Sequence, residues 1–243
     1  MKKIIYLLPV SIMVLLFSAC SSYKNIPYFQ NLKRPGPYKE KINNFAPLVI
    51  QPEDILSISV NSLNPCAWQD STGKSEYLVG SDGTVQLPLV NEVAVAGLTT
   101  AAVQSQLKIK LAKYLRNPSV NVRITNFKVS VLGDVNHPDV FRIPNTRVTL
   151  LEALSLAGDL NITAMRTNVL LIREIDGERE YQTIDLTSAN VFTSNSYYLK
   201  NNDVVYVQPD KTKFATVDRG YRTLTIILSA LSIVAIIVAN VLR

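Results

Sequence analysis

The sequence predicts an α+β protein: two small mixed α/β modules in tandem, followed by a C-terminal transmembrane helix. Three observations predict it. Between residues 48 and 209, apolar residues alternate in short runs punctuated by Gly, Pro, Asn and Asp, the pattern of half-buried strands. Two stretches within that span change to helical spacing, one in each module. A run without charged residues, 224–242, stands apart at the carboxyl end. Apolar residues make up 47% of the 243, ample for packed cores.

The amino terminus reads as a secretion signal over residues 1–19. Lys2 and Lys3 supply the positive start, Ile4 to Phe17 the apolar stretch, and Ser18-Ala19 the small residues before Cys20. Small residues directly before a Cys form a bacterial lipobox, so Cys20 is the expected lipidation site, although Phe17 stands where Leu is more usual. Each buried acyl CH₂ adds about 0.8 kcal/mol, so several chains anchor stably. Lipidation would leave Cys66 as the only other thiol, either a small packed residue or a reactive group. The net charge is +6, but Lys2 and Lys3 lie in the signal, and Arg219, Arg222 and Arg243 flank the apolar tail. No dense Lys/Arg patch with interleaved aromatics argues for nucleic acid.

Residues 20–47 read as a tether, interrupted by Pro27, Pro35, Pro37 and Pro47. Tyr23, Tyr28, Phe29 and Tyr38 are more aromatics than a linker needs. Packing on the first module, on a neighbouring subunit or at a bilayer surface would each account for them.

The first module occupies residues 48–126. A turn at Pro52-Glu53-Asp54 precedes an alternating strand carrying Ile58 and Val60. A short strand at Tyr77 leads to the turn Gly80-Ser81-Asp82-Gly83. Val85, Leu87 and Leu89 alternate, with Pro88 marking an edge or bend. Val93 and Val95 form another strand. Thr99 or Thr100 then caps a helix with the apolar stripe Val103, Leu107, Leu111 and Leu115, stopped by Asn117-Pro118.

These spaced elements together resemble the polysaccharide export domain of Wza-type outer-membrane lipoproteins, members of the polysaccharide biosynthesis/export family. Its first turn usually reads Pro-Gly-Asp, and here Glu53 replaces the Gly. Asp82, Gly83, Val85, Leu87, Pro88, Gly97 and Thr99 match the next block, whereas Asn91 replaces a Gly. Residues 127–209 resemble the family's SLBB domain, implying a β-grasp-like fold. The matching features are an alternating strand from Phe127, a Pro138-Asp139-Val140-Phe141 turn and a capping box of Thr149 and Glu152. Ala157-Gly158-Asp159, a turn at Asp176-Gly177 and the closing strand from Asp203 to Val207 complete it. Asp139, Asp159 and Asn202 stand where Gly is usual.

A linker, 210–222, leads to the expected transmembrane helix, 223–243. Its uncharged run is about long enough for a bilayer at roughly 1.5 Å per residue. Thr225, Ser229, Ser232 and Asn240 fall near one face, a stripe that lines a pore or packs tails together. The plain alternative is a lone anchor whose hydroxyls bond their own backbone.

Catalysis finds little support. Glu53, Asp54, Asp82 and Asp203 all sit in turns or strand starts. No phosphate-binding glycine loop is present, and one His with one remaining Cys argues against a metal site. No cofactor is expected. The resemblance implies a homo-oligomeric ring that conducts capsular polysaccharide or exopolysaccharide across the periplasm and outer membrane. Its implied partner is an inner-membrane polysaccharide copolymerase, often coupled to a tyrosine kinase. The alternative is a membrane-anchored periplasmic scaffold that binds glycan or ligand without a pore, and retention in the inner membrane is the alternative location.

Overall fold

The computed structural model describes residues 26–32, 36–37, 39–63, 75–175, 177–215 and 219–241. The signal segment, Cys20, Cys66 and Asp176 lie outside the described residues.

The first module is built on strand β1 (Ile55–Asn61), flanked antiparallel by β2 (Glu76–Leu78) and β5 (Ser119–Ile124). A separate hairpin pairs β3 (Thr84–Leu87) with β4 (Asn91–Ala94). Pro88 lies outside β3 because it has no N–H to give the ladder. Helix α1 (Thr100–Leu111) is capped by Thr99, whose hydroxyl accepts from the Ala102 N–H at 3.2 Å. Val103, Leu107 and Leu111 bury one face of α1, and Leu115 continues it from the following turn. They meet Leu56, Ile58 and Val122 of the sheet and Val85 and Val93 of the hairpin in one core.

The second module is a five-stranded mixed sheet in the order β10-β9-β12-β6-β7. Its strands are β6 (Lys128–Gly133), β7 (Asp139–Arg142), β9 (Ala164–Ile175), β10 (Glu178–Ile184) and β12 (Val204–Pro209). The central pair, β6 and β12, is parallel, and the other pairs are antiparallel. A short ladder joins β8 (Val148–Thr149) to β11 (Tyr198–Leu199). Helix α2 (Leu150–Leu156) carries the expected capping box, with the Thr149 hydroxyl accepting from the Glu152 N–H and the Glu152 carboxylate accepting from the Thr149 N–H. Val129, Val131, Leu150, Leu154, Leu171 and Val205 form the core.

Four of the five positions where Gly is usual adopt left-handed backbone: Glu53 (φ 69°), Asn91 (φ 52°), Asp159 (φ 68°) and Asn202 (φ 65°). Asp139 does not, and simply begins β7. Asn and Asp tolerate this region, whereas Glu carries its steric cost.

The C-terminal helix corrects an expectation. Helix α3 (Lys211–Ala215) occupies part of the expected linker, and α4 (Arg219–Val241) forms over 23 residues. Yet among the described residues no helix is long and apolar enough to cross a membrane, so the transmembrane helix is not supported. The exposed large apolar side chains run from Ile226 to Val238. The hydroxyls of Ser229 and Ser232 donate to the carbonyls of Ile226 and Ser229, at 2.8 and 2.7 Å.

Two backbone substitutions should act in opposite directions. Glu53→Gly removes a left-handed cost of about 1–2 kcal/mol and adds unfolded-state entropy worth about 0.4–1, so it should stabilise by about 0.5–1 kcal/mol. At Gly133 (φ +97°) an added Cβ would sit 2.0 Å from the Val207 carbonyl oxygen, a backbone atom that the β6–β12 pairing holds in place. Gly133→Ala should cost at least about 2 kcal/mol. Urea denaturation of both variants checks the signs.

Candidate functional site

The feature that organises the molecule is a polar joint between the modules. Gln51-Pro52-Glu53-Asp54 turns with Pro preset at its second position and left-handed backbone at its third. The Asp54 N–H donates to the Gln51 carbonyl at 3.2 Å, and Asp54 Oδ2 accepts the Gln51 N–H at 2.9 Å. Residues 200–203 repeat this construction. The Asp203 N–H donates to the Lys200 carbonyl at 3.3 Å, Asp203 Oδ2 accepts the Lys200 N–H at 2.7 Å, and Asn202 is the left-handed residue.

The two turns meet. Asn201, 7% exposed, donates its amide to Asp54 Oδ1 at 2.6 Å, and its Oδ1 accepts the Lys128 N–H at 3.0 Å, at the start of β6. Asn126 fastens the end of the first module beside this contact, accepting the Ile55 N–H at 2.9 Å and donating to the Glu53 carbonyl at 3.1 Å. Asp54 is 2% exposed, and burial pushes its carboxyl above the usual range despite the opposing bonds from Gln51 and Asn201.

A buried ion pair braces the second turn. Arg173 Nε and Nη2 reach Asp203 Oδ1 and Oδ2 at 2.9 and 2.6 Å, and Nη2 also donates to the Tyr198 carbonyl at 3.1 Å. A third carboxylate, Asp134, accepts from Asn161 (2.8 Å), Thr163 (2.6 Å) and Lys213 Nζ (2.6 Å). Burial alone would raise Asp134, but these three donors outweigh it and hold the carboxyl below the usual range. Lys213 belongs to α3, so this cluster ties the start of the tail to the second module.

The described part of the tether straps onto that same module, not onto the first. The Phe29 and Gln30 N–H groups donate to the carbonyls of Leu186 and Thr187, at 3.2 and 2.6 Å. The Tyr28 hydroxyl donates to Asp159 at 2.5 Å, and the Arg166 guanidinium lies 5.4 Å from its ring. Burial first, then the bond to Asp159, pushes the Tyr28 hydroxyl well above its ordinary value. Phe29 packs on Phe192, and Phe45 meets Tyr198 edge-on.

The residues singled out in the sequence fall elsewhere. Val103, Leu107, Leu111 and Leu115 are buried within their own module. Thr225, Ser229, Ser232 and Asn240 lie exposed along α4. Cys20, the lipidation candidate, lies outside the described residues. Each carboxylate considered for catalysis has a structural place: Glu53 and Asp54 in the joint, Asp203 on Arg173, and Asp82 in its turn, accepting from the Thr84 N–H and hydroxyl. Thr84 holds the exposed Asp82 carboxyl below its usual range. Among the described residues no group of three His, Cys, Asp or Glu side chains is placed to hold a metal. Asn201 escaped the sequence reading. Its signal was the four-residue turn ending in Asp that occurs in both modules.

Comparison with known proteins divides the chain at this joint. Residues 43–125 match the polysaccharide biosynthesis/export protein model, and residues 127–207 match the SLBB domain. The chain thus carries, in order, a polysaccharide biosynthesis/export domain and an SLBB domain. Asn126 is the single residue between the two matches. The EPS I polysaccharide export outer membrane protein EpsA of Ralstonia solanacearum is 24% identical over 204 residues, 79% of this chain and 54% of that protein. The capsule polysaccharide export outer membrane protein CtrA of Neisseria meningitidis is 27% identical over 157 residues, 64% of this chain and 40% of that protein. The capsule polysaccharide export protein BexD of Haemophilus influenzae is 29% identical over 119 residues, 43% of this chain and 30% of that protein. The chain spans about half the length, or less, of the curated relatives it matches. The family consists of transport components, and no catalytic family is indicated.

Two measurements probe the site. Asp203→Leu leaves the Arg173 guanidinium buried without its carboxylate and should cost about 3–5 kcal/mol, whereas the double variant Arg173→Leu/Asp203→Leu should recover much of that loss. Urea denaturation of both variants measures this recovery. Asp54 should impose a pH trend. Its folded value is raised, so its stabilising contribution is full below the ordinary carboxylate value and is lost as pH rises through the raised one. The stability of the wild type relative to Asp54→Asn should fall across that window in urea titrations. A difference independent of pH would contradict the assignment.

Proposed function

We propose that this protein is an outer-membrane lipoprotein that assembles into a homo-oligomeric conduit for capsular polysaccharide or exopolysaccharide. The observation that carries this reading is the pair of matched domains, in order and joined through Asp54, Asn126 and Asn201. Relatives named as polysaccharide export outer membrane proteins support both the cargo and the location. Cys20 would carry the lipid anchor. Transport would be passive, driven by synthesis at the inner membrane, where a polysaccharide copolymerase, often coupled to a tyrosine kinase, would be the partner. The exposed apolar surface of α4 would pack against copies of itself, with Thr225, Ser229, Ser232 and Asn240 along that contact.

A second reading, a membrane-anchored glycan-binding scaffold without a pore, is favoured because among the described residues no helix is long and apolar enough to cross a membrane. Deletion distinguishes them. The conduit reading predicts loss of surface polysaccharide with retained synthesis, and a large ring-shaped oligomer extracted from the outer-membrane fraction. A monomer whose loss leaves surface polysaccharide unchanged would contradict it. Cys20→Ser should release the protein from the outer-membrane fraction and fail to restore export.

A further inference from the structure

We propose that one face of the chain is a binding track for an acidic polysaccharide, crossing from the second module onto the first. The inference rests on the export reading and adds the chemistry of the cargo.

Two adjoining grooves form the track. The first, about 950 Å³, lies between α2, the β7–β8 connection and the strap. The second, about 770 Å³, continues across the joint to Thr99, Thr100 and Arg123 of the first module. They share Pro144, Asn145, Arg147 and Glu152, so their linings are continuous. That length suits a chain of sugar units better than a single small molecule.

The lining chemistry selects the ligand. Phe192, Tyr197 and Tyr198 line the first groove half-buried, with rings held edge-to-face at 5.6 and 5.1 Å. Aromatic rings of this kind offer apolar faces to the C–H faces of sugars, and the tyrosines add hydroxyls for their oxygens. The Asn44 amide nitrogen donates to the carbonyls of Phe192 and Ser194, at 2.9 and 2.7 Å, which fixes its carbonyl oxygen as an acceptor in the groove.

Charge adds the second requirement. Arg142 lines the first groove, Arg123 the second and Arg147 both. All three are exposed, and among the described residues none is in an ion pair. Arg147 instead lies 5.9 Å from the Phe45 ring. Among the described residues the only carboxylate in either lining is Glu152, whose Oε2 is already bound by the Thr149 N–H and hydroxyl, at 2.7 and 3.0 Å. Three guanidiniums against one committed carboxylate favour a ligand that carries carboxylates of its own, which a guanidinium grips bidentately. A uronic-acid polymer has that chemistry, and a neutral glucan lacks it.

The test is calorimetric titration of the full-length, detergent-purified protein with a galacturonic acid hexamer and with a glucose hexamer. Binding of the acidic hexamer should weaken about tenfold in Arg147→Gln and in Arg142→Gln, and should fall at high salt. The neutral hexamer should not compete. Lys108→Gln, on the exposed face of α1, should leave binding unchanged. Both arginines are exposed, so melting temperatures should stay at the wild-type value and confirm folding. Equal binding of the neutral hexamer, no binding at all, or unaltered affinity in both arginine variants would overturn the track. A change in oligomer size in Arg147→Gln without a change in affinity would also overturn it, assigning the face to a second copy. If deletion abolishes surface polysaccharide but the hexamer does not bind, the track falls and the export reading stands. If the hexamer binds but deletion leaves surface polysaccharide intact, the converse holds.

Discussion

Asp54 is buried at a domain boundary and divides its two carboxylate oxygens between the sides. One accepts the Gln51 N–H of its own turn, and the other accepts the Asn201 amide from the second module. A buried carboxylate stays charged only if such donors replace the water it has lost. Asn201 is therefore held from several directions at once: by Lys128, by the left-handed Asn202 beside it, and by the Arg173–Asp203 pair that braces its turn. The same turn geometry, built once in each module, brings the two ends of this contact face to face. Asn126, where the chain leaves the first module, is held to Ile55 and Glu53 of that module, beside the Asp54–Asn201 bond that crosses to the second.

Much of this was legible in the sequence wherever one residue type has one physical use. Thr149 and Glu152 announced the capping box. The Val103, Leu107, Leu111 and Leu115 spacing announced a buried helix face. Asn91, Asp159 and Asn202 stood in for glycines and take the left-handed backbone that a glycine would supply. Glu53 does the same at a higher cost, because the turn it completes aims Asp54 into the joint.

What remained hidden depends on contacts between residues far apart in the chain. Nothing local about Asn201 distinguishes it from its neighbour Asn202, yet one makes the interdomain bond and the other makes only the turn. Tyr28 and Phe29 declared themselves as excess aromatics, but their place beside Arg166, Leu186 and Phe192 follows from the finished second module. The tail was misjudged for a different reason. An uncharged run marks where α4 forms, but among the described residues no helix is long and apolar enough to cross a membrane.

The strap at Tyr28 and Lys213 of α3 are both fastened to the second module, on Asp159 and Asp134. A lipid anchor upstream of the strap would hold that module nearest the bilayer, with the first module carried outward through the joint. A conduit built from such subunits needs the two modules to keep a fixed relation, since a wall that hinges between its courses cannot keep a continuous lumen.

A distance distribution measures the rigidity of the joint most directly. Spin labels introduced as unnatural amino acids at Lys108 on α1 and Glu180 on β10, both exposed, report the relation between the modules by pulsed electron resonance. A single narrow distribution is expected in the wild type, broadening in Asn201→Leu while circular dichroism shows both modules still folded. Equally narrow distributions in both proteins would contradict the claim that the Asp54–Asn201 contact holds the modules together.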